Sequence, residues 1–141
     1  MDSAVRLVRL AQIAMLVSIA LYVAAGEMLK LKVSGNPADA LFHALSFISI
    51  SLVGATVVVR RTLVLPSEAL LLRSEDSLAV KRWQTGHLLL YALCEVLGLF
   101  GLILRVDGFT LGNVWGFYLG AFLLLLLYSP RPPQLNFRRR L

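Results

Sequence analysis

A chain of 141 residues that is 58% hydrophobic and only 16% charged is too apolar for a soluble domain of its size. Its mean hydropathy of +0.78 and its length fit one membrane domain with little left over. The net charge of +6 lies in residues that flank apolar runs, so it points to orientation in a bilayer and to anionic headgroups rather than to nucleic acid.

The first apolar run extends from Leu10 to Gly26 without a charge, behind Arg6 and Arg9. A signal peptide starts in the same way, but its apolar region is usually about 7–15 residues long. This run is longer and continues into Glu27-Met28-Leu29-Lys30, which predicts an uncleaved span over about residues 8–29. Ala11, Ala14, Ser18 and Ala25 lie along one side at helical spacing and leave room for a neighbour. Glu27 sits at the span's end, where a carboxylate reaches water.

Gly35-Asn36-Pro37 signals a turn. The second span, residues 40–59, holds no titratable residue but His43. Asp39 and His43 are four apart, so they share a helix face at the membrane edge. Two readings stand side by side: a polar cap region, or a proton-exchanging pair. Ser46, Ser49 and Thr56 add a mild polar stripe, which hydroxyls bonded to their own i−4 carbonyls also produce.

Arg60-Arg61 is expected to stop the second span and open a long loop, residues 60–82. Pro66-Ser67-Glu68 reads as a helix start, and Ser74-Glu75-Asp76 as another. A short amphipathic segment on the membrane surface is expected, then a helix that runs into the third span at residues 83–104. Arg105-Val106-Asp107-Gly108 makes a polar turn before the fourth span, residues 109–128. There Gly108, Gly112, Gly116 and Gly120 recur every four residues, a pattern that lets another helix backbone approach. It predicts a homo- or hetero-oligomer assembled through the fourth span, or a close contact within the bundle. The tail, residues 129–141, is basic and proline-rich and is expected to be disordered.

Eleven of the fourteen Lys and Arg fall in the N-terminus, the 60–82 loop and the tail. Positive charge is retained on the cytoplasmic side, so the expected fold is an all-α bundle of four transmembrane helices in a cell's inner or plasma membrane. Both termini are then cytoplasmic.

The third span carries the main candidate site, with the Asp39 and His43 pair as a secondary one. Glu95 lies near its middle, and a carboxylate at that depth needs a partner to offset a few kcal/mol. Trp83, His87, Tyr91 and Glu95 are spaced by four along a slowly winding stripe. Glu95 stands about 12 Å above His87 by helical rise, and Tyr91, which can donate and accept, lies between them. A relay Glu95–Tyr91–His87 is therefore geometrically open. The competing reading makes Trp83 and His87 interface anchors, and Glu95 a neutral acid bonded to a Ser, Thr, Gln or backbone carbonyl of another helix.

The stretch Ala92-Leu93-Cys94-Glu95-Val96-Leu97-Gly98-Leu99-Phe100-Gly101-Leu102 resembles the carboxylate helix of the rotor-ring proteolipids of ATP synthases and vacuolar-type ATPases. The likeness lies in an acid followed, six residues on, by glycine and leucine after an aromatic. It implies that Glu95 is an ion-carrying carboxylate. The chain departs from that family in having one glycine, Gly54, in the preceding span, and a far longer loop between the two.

Nothing in the chain matches a P-loop, a dinucleotide-binding fingerprint or an HExxH zinc motif. The single cysteine, Cys94, excludes an internal disulfide and a cysteine zinc site. No enzyme, metal or cofactor is therefore expected. The expected function is a non-enzymatic structural or accessory subunit of a membrane assembly. The alternative is a proton- or cation-translocating element built on Glu95.

Overall fold

Long apolar runs can satisfy their backbone groups only internally, and in a computed structural model of the protein they do so as helices. The structure describes residues 2–30, 39–71 and 77–130. The predicted turn at Gly35-Asn36-Pro37, the predicted start at Ser74-Glu75-Asp76 and the tail from residue 131 lie outside them. The elements are α1 (Asp2–Lys30), α2 (Asp39–Val59), a π-helical turn (Arg60–Val64), α3 (Leu65–Leu71), α4 (Ser77–Val106) and α5 (Leu111–Leu127). Among the described residues there is no strand. Three stretches are long and apolar enough to cross a membrane: Ser3–Leu29, Asp39–Leu71 and Ser77–Val106. The fourth, α5, is apolar but shorter, about 26 Å at 17 residues.

The helices alternate in direction. Gln12 reaches the Leu125 carbonyl and Arg60 reaches Tyr128 at one pole, while Glu27 meets Arg105 at the other. The axis of the bundle is α4. It packs against α1 and α5 along its length, and against α2, the π turn and α3. By contrast, the backbones of α1 and α2 stay apart, and α2 meets α5 only through side chains such as Phe42 and Phe117. Small residues suit α4 to this role. A Cβ on Gly86 would lie 2.9 Å from Val64, one on Gly98 3.3 Å from Ile19, and one on Gly101 2.9 Å from the Tyr118 ring. Three partners thus approach at three glycines. Trp83, Leu90, Tyr91, Cys94 and Leu104 fill the rest of the α4 core.

The outer surface is strongly apolar. Phe47 is 71% exposed, Ile50 70% and Trp115 55%, and such residues cover all four long helices. Helices facing hydrocarbon present this surface, and a water-facing monomer of this size does not.

Several boundaries differ from those the sequence predicts. The first helix begins at Asp2, because Ala4 and Val8 are already buried. Arg60-Arg61 does not stop the second helix, which stays helical to Leu71. Pro66 has no N–H, and its ring would clash with the carbonyl four residues earlier. The chain widens instead into a π turn, in which the Leu65 N–H bonds the Arg60 carbonyl, five residues back. The expected surface segment is therefore the end of one continuous helix. It lies over α4, with Val64 and Leu71 buried. Gly108 is not helical: it sits in the turn with φ of 107°, so α5 starts three residues later, after the N-cap Thr110.

Candidate functional site

Glu95 is half-buried where α4 crosses α1. Its carboxylate accepts a 2.7 Å hydrogen bond from the hydroxyl of Tyr22 on α1. The local sequence makes this possible. Gly98 follows Glu95 by three residues, so it shares the same face of α4. A Cβ there would lie 3.5 Å from Tyr22 Cδ2. Without it, the Tyr22 ring lies against α4 and its hydroxyl reaches the acid. No Lys or Arg is paired with Glu95 among the described residues.

The stripe Trp83–His87–Tyr91–Glu95 does not form a hydrogen-bonded chain. Tyr91 is fully buried, and its hydroxyl donates to the Tyr128 carbonyl at 3.2 Å. His87 is 3% exposed, and its Nδ1 donates to the Trp83 carbonyl at 3.0 Å. The His87 ring lies 4.5 Å from Trp83 and 6.2 Å, edge-on, from Tyr91. Trp83 is 2% exposed, and its Nε1 has no hydrogen-bond partner among the described residues. Both residues are thus covered by protein beneath the π turn and α3.

At the opposite pole, His43 Nδ1 donates to the Asp39 backbone carbonyl at 2.7 Å, and both residues are exposed. The contact is a helix-internal one and not a carboxylate–imidazole pair. Ser46 and Ser49 donate to the carbonyls of Phe42 and Leu45. Thr56 donates to Val53 and also meets the Tyr128 hydroxyl at 3.1 Å.

The four predicted glycines take separate roles. A methyl group added at Gly112 or Gly116 would meet no other helix within 4 Å, and one at Gly120 would meet only Leu97, at 3.4 Å. The glycines that carry close packing within the chain are those of α4, together with Gly26.

Sequence reasoning missed three polar joints. The first is Tyr22. A tyrosine well inside a span, away from either interface, was the available signal. The second is Arg105, which reads as a turn residue but is only 4% exposed. Its Nε donates to Glu27 Oε1 at 2.9 Å, Nη2 to Oε2 at 2.6 Å, and Nη1 to the Phe109 carbonyl at 2.8 Å. Gly26 admits the arginine stem, since a Cβ there would lie 2.8 Å from its Cγ. The third is Gln12, buried at 6%, whose amide donates to the Leu125 carbonyl at 2.7 Å.

Among the described residues, no three His, Cys, Asp or Glu side chains are grouped to hold a metal ion. No family model matches the sequence, and no curated protein or solved structure is recognisably similar to it.

Proposed function

We propose that the chain is a four-span membrane protein, with both termini and the 60–82 segment cytoplasmic, that serves as a non-enzymatic structural subunit of a membrane assembly. The observation that carries this reading is the 2.7 Å bond from Tyr22 to Glu95. It closes the one mid-span acid onto a neighbouring helix instead of onto the Tyr91–His87 stripe. An acid held in this way links α1 to α4, as polar groups do in membrane bundles at about 0.6–2 kcal/mol each. Exposed Gly112 and Trp115 leave part of α5 for a partner subunit.

Substitution at Glu95 tests the proposal. Glu95→Gln keeps the acceptor for Tyr22 and the side-chain size, so melting in mild detergent should stay close to wild type. Glu95→Leu strands the Tyr22 hydroxyl in an apolar seam and should lower stability by about 1–2 kcal/mol. If Glu95→Leu melts like wild type, the structural role of the acid is lost.

A second reading, ion translocation through Glu95, is favoured by a separate observation. The carboxylate is only half-buried, and its partner is a phenol and not a fixed cation. The resemblance to rotor-ring proteolipids supports the same reading. Here Glu95→Gln should fold normally yet abolish proton or cation flux in proteoliposomes, because an amide has no proton to release. Flux unchanged in Glu95→Gln removes this reading.

A further inference from the structure

Helices α2 and α5 both lean on α4 and touch each other only through side chains at the two ends of their shared seam. At one end Phe42 of α2 lies 5.3 Å from the ring of Phe109 and 6.1 Å from that of Phe117. At the other, Thr56 meets Tyr128 at 3.1 Å. Between these two closures α2 and α5 enclose an open groove of about 400 Å³, walled by Ser46, Ser49, Val53, Gly116 and Gly120 over Leu97.

Three features define what fits there. The first is chemistry: Ser46 and Ser49 point their hydrogens at their own helix, at 2.8 and 2.7 Å, so the walls offer hydrocarbon contact and no donor. The second is size. The groove holds about 400 Å³ along the roughly 10 Å of helix from Ser46 to Val53. A polymethylene chain, with a contact diameter of about 4–4.5 Å, fits with room for a neighbour. The third is charge. Arg60 lies two turns beyond Val53, and its guanidinium carbon is 5.5 Å from the centre of the Tyr128 ring. Arg60 and the adjacent Arg61 are exposed. Groove, Thr56–Tyr128 contact and guanidinium thus follow one another along one line.

We infer that the α2–α5 seam binds an anionic glycerophospholipid, with an acyl chain in the groove and the phosphate at Arg60. The site rests on the membrane-spanning reading but not on any role of Glu95. Arginine suits it because its planar fork holds a phosphate by two bonds, whereas a zwitterionic headgroup sets its own ammonium beside that phosphate.

The full chain is placed in lipid nanodiscs of equal phosphatidylcholine and phosphatidylglycerol, released in mild detergent, and weighed by native mass spectrometry. Wild type should retain phosphatidylglycerol over phosphatidylcholine by about fivefold, the factor for one basic residue at an anionic surface. Arg60→Gln should bring that ratio near unity while the total lipid retained stays similar. Gly116→Phe should remove most of the retained lipid of both kinds, and Val53→Phe, from the facing wall, should do the same. Equal retention of the two lipids by wild type overturns the site, as does full retention by both groove-filling variants. A dimer mass in place of the lipid adduct overturns it too, by giving the groove to a second copy. A chain that stays in solution without detergent refutes the membrane reading itself. A chain that enters discs but shows no preference refutes the lipid site alone.

Discussion

Adding one methyl group at Gly101 should cost more than adding one at Gly116, and the difference can be worked from the packing. The Tyr118 ring of α5 is wedged into α4 and α1. A Cβ on Gly101 would lie 2.9, 3.0 and 3.1 Å from three of its carbons, and one on Gly26 would lie 3.4 Å from its hydroxyl. Tyr118 is 6% exposed, so its ring has nowhere to swing. Overpacking of this kind costs about 1–3 kcal/mol. Alanine in place of glycine returns about 1 kcal/mol through helix propensity, so Gly101→Ala should lose about 0–2 kcal/mol. At Gly116 nothing lies within 4 Å, and the propensity gain remains. The propensity contributions cancel between the two variants. Gly101→Ala should therefore melt below Gly116→Ala by the overpacking cost alone, about 1–3 kcal/mol. Thermal or denaturant unfolding in one mild detergent measures this. Tyr118→Leu in the Gly101→Ala background should recover part of the loss, which a double-mutant cycle isolates. Equal stabilities for the two alanine variants would refute the wedge. A larger loss at Gly116 would also refute it, and would place the α5 glycines against another chain.

Two further expectations concern the poles of the bundle. The Arg105 side chain is 5% exposed and that of Glu27 48%, so Glu27→Ala strands a buried guanidinium that water reaches only from one side. A loss of about 2–4 kcal/mol is expected, against about 1–2 for Glu27→Gln, and unfolding in detergent that matches wild type for Glu27→Ala would remove the bridge from the account of stability. For topology, a reporter fused at the C-terminus should be active only in the cytoplasm and one fused after Asp107 only on the other side; two fusions that report one side exclude the four-span arrangement.

The long apolar helices were legible because some twenty apolar residues in a row favour a structure that satisfies its backbone hydrogen bonds internally. The continuation past Arg60-Arg61 was not. Arg60-Arg61 reads locally as a stop and Pro66-Ser67-Glu68 as a new start, but Val64 and Leu71 are buried over α4, and that packing outweighs both. The glycines show the same division. Regular spacing points to α5, where the sites are open. The packed glycines, Gly86, Gly98 and Gly101, have no common period because each meets a different element. Glu95 announced that it needed a partner. Its partner Tyr22 is 73 residues away in the chain, and nothing in either helix alone sets the register that joins them. Arg105 was hidden for the same reason. Its burial depends on Gly26 and Glu27, which belong to a helix made much earlier.

The central position of α4 bears on how the chain is made. In a bilayer, α1 and α2 are synthesised first, yet their backbones stay apart. Gln12 waits for Leu125, Tyr22 for Glu95, Glu27 for Arg105 and Thr56 for Tyr128. On the membrane-spanning reading proposed above, the first two helices leave the translocation machinery as separate segments, with Gln12 and Tyr22 in need of cover. Synthesis at about 5–20 residues per second keeps them in that state for several seconds before α4 arrives. Through that interval an insertase or a membrane protease meets this protein as two single spans, and a chain truncated in the 72–76 segment stays that way.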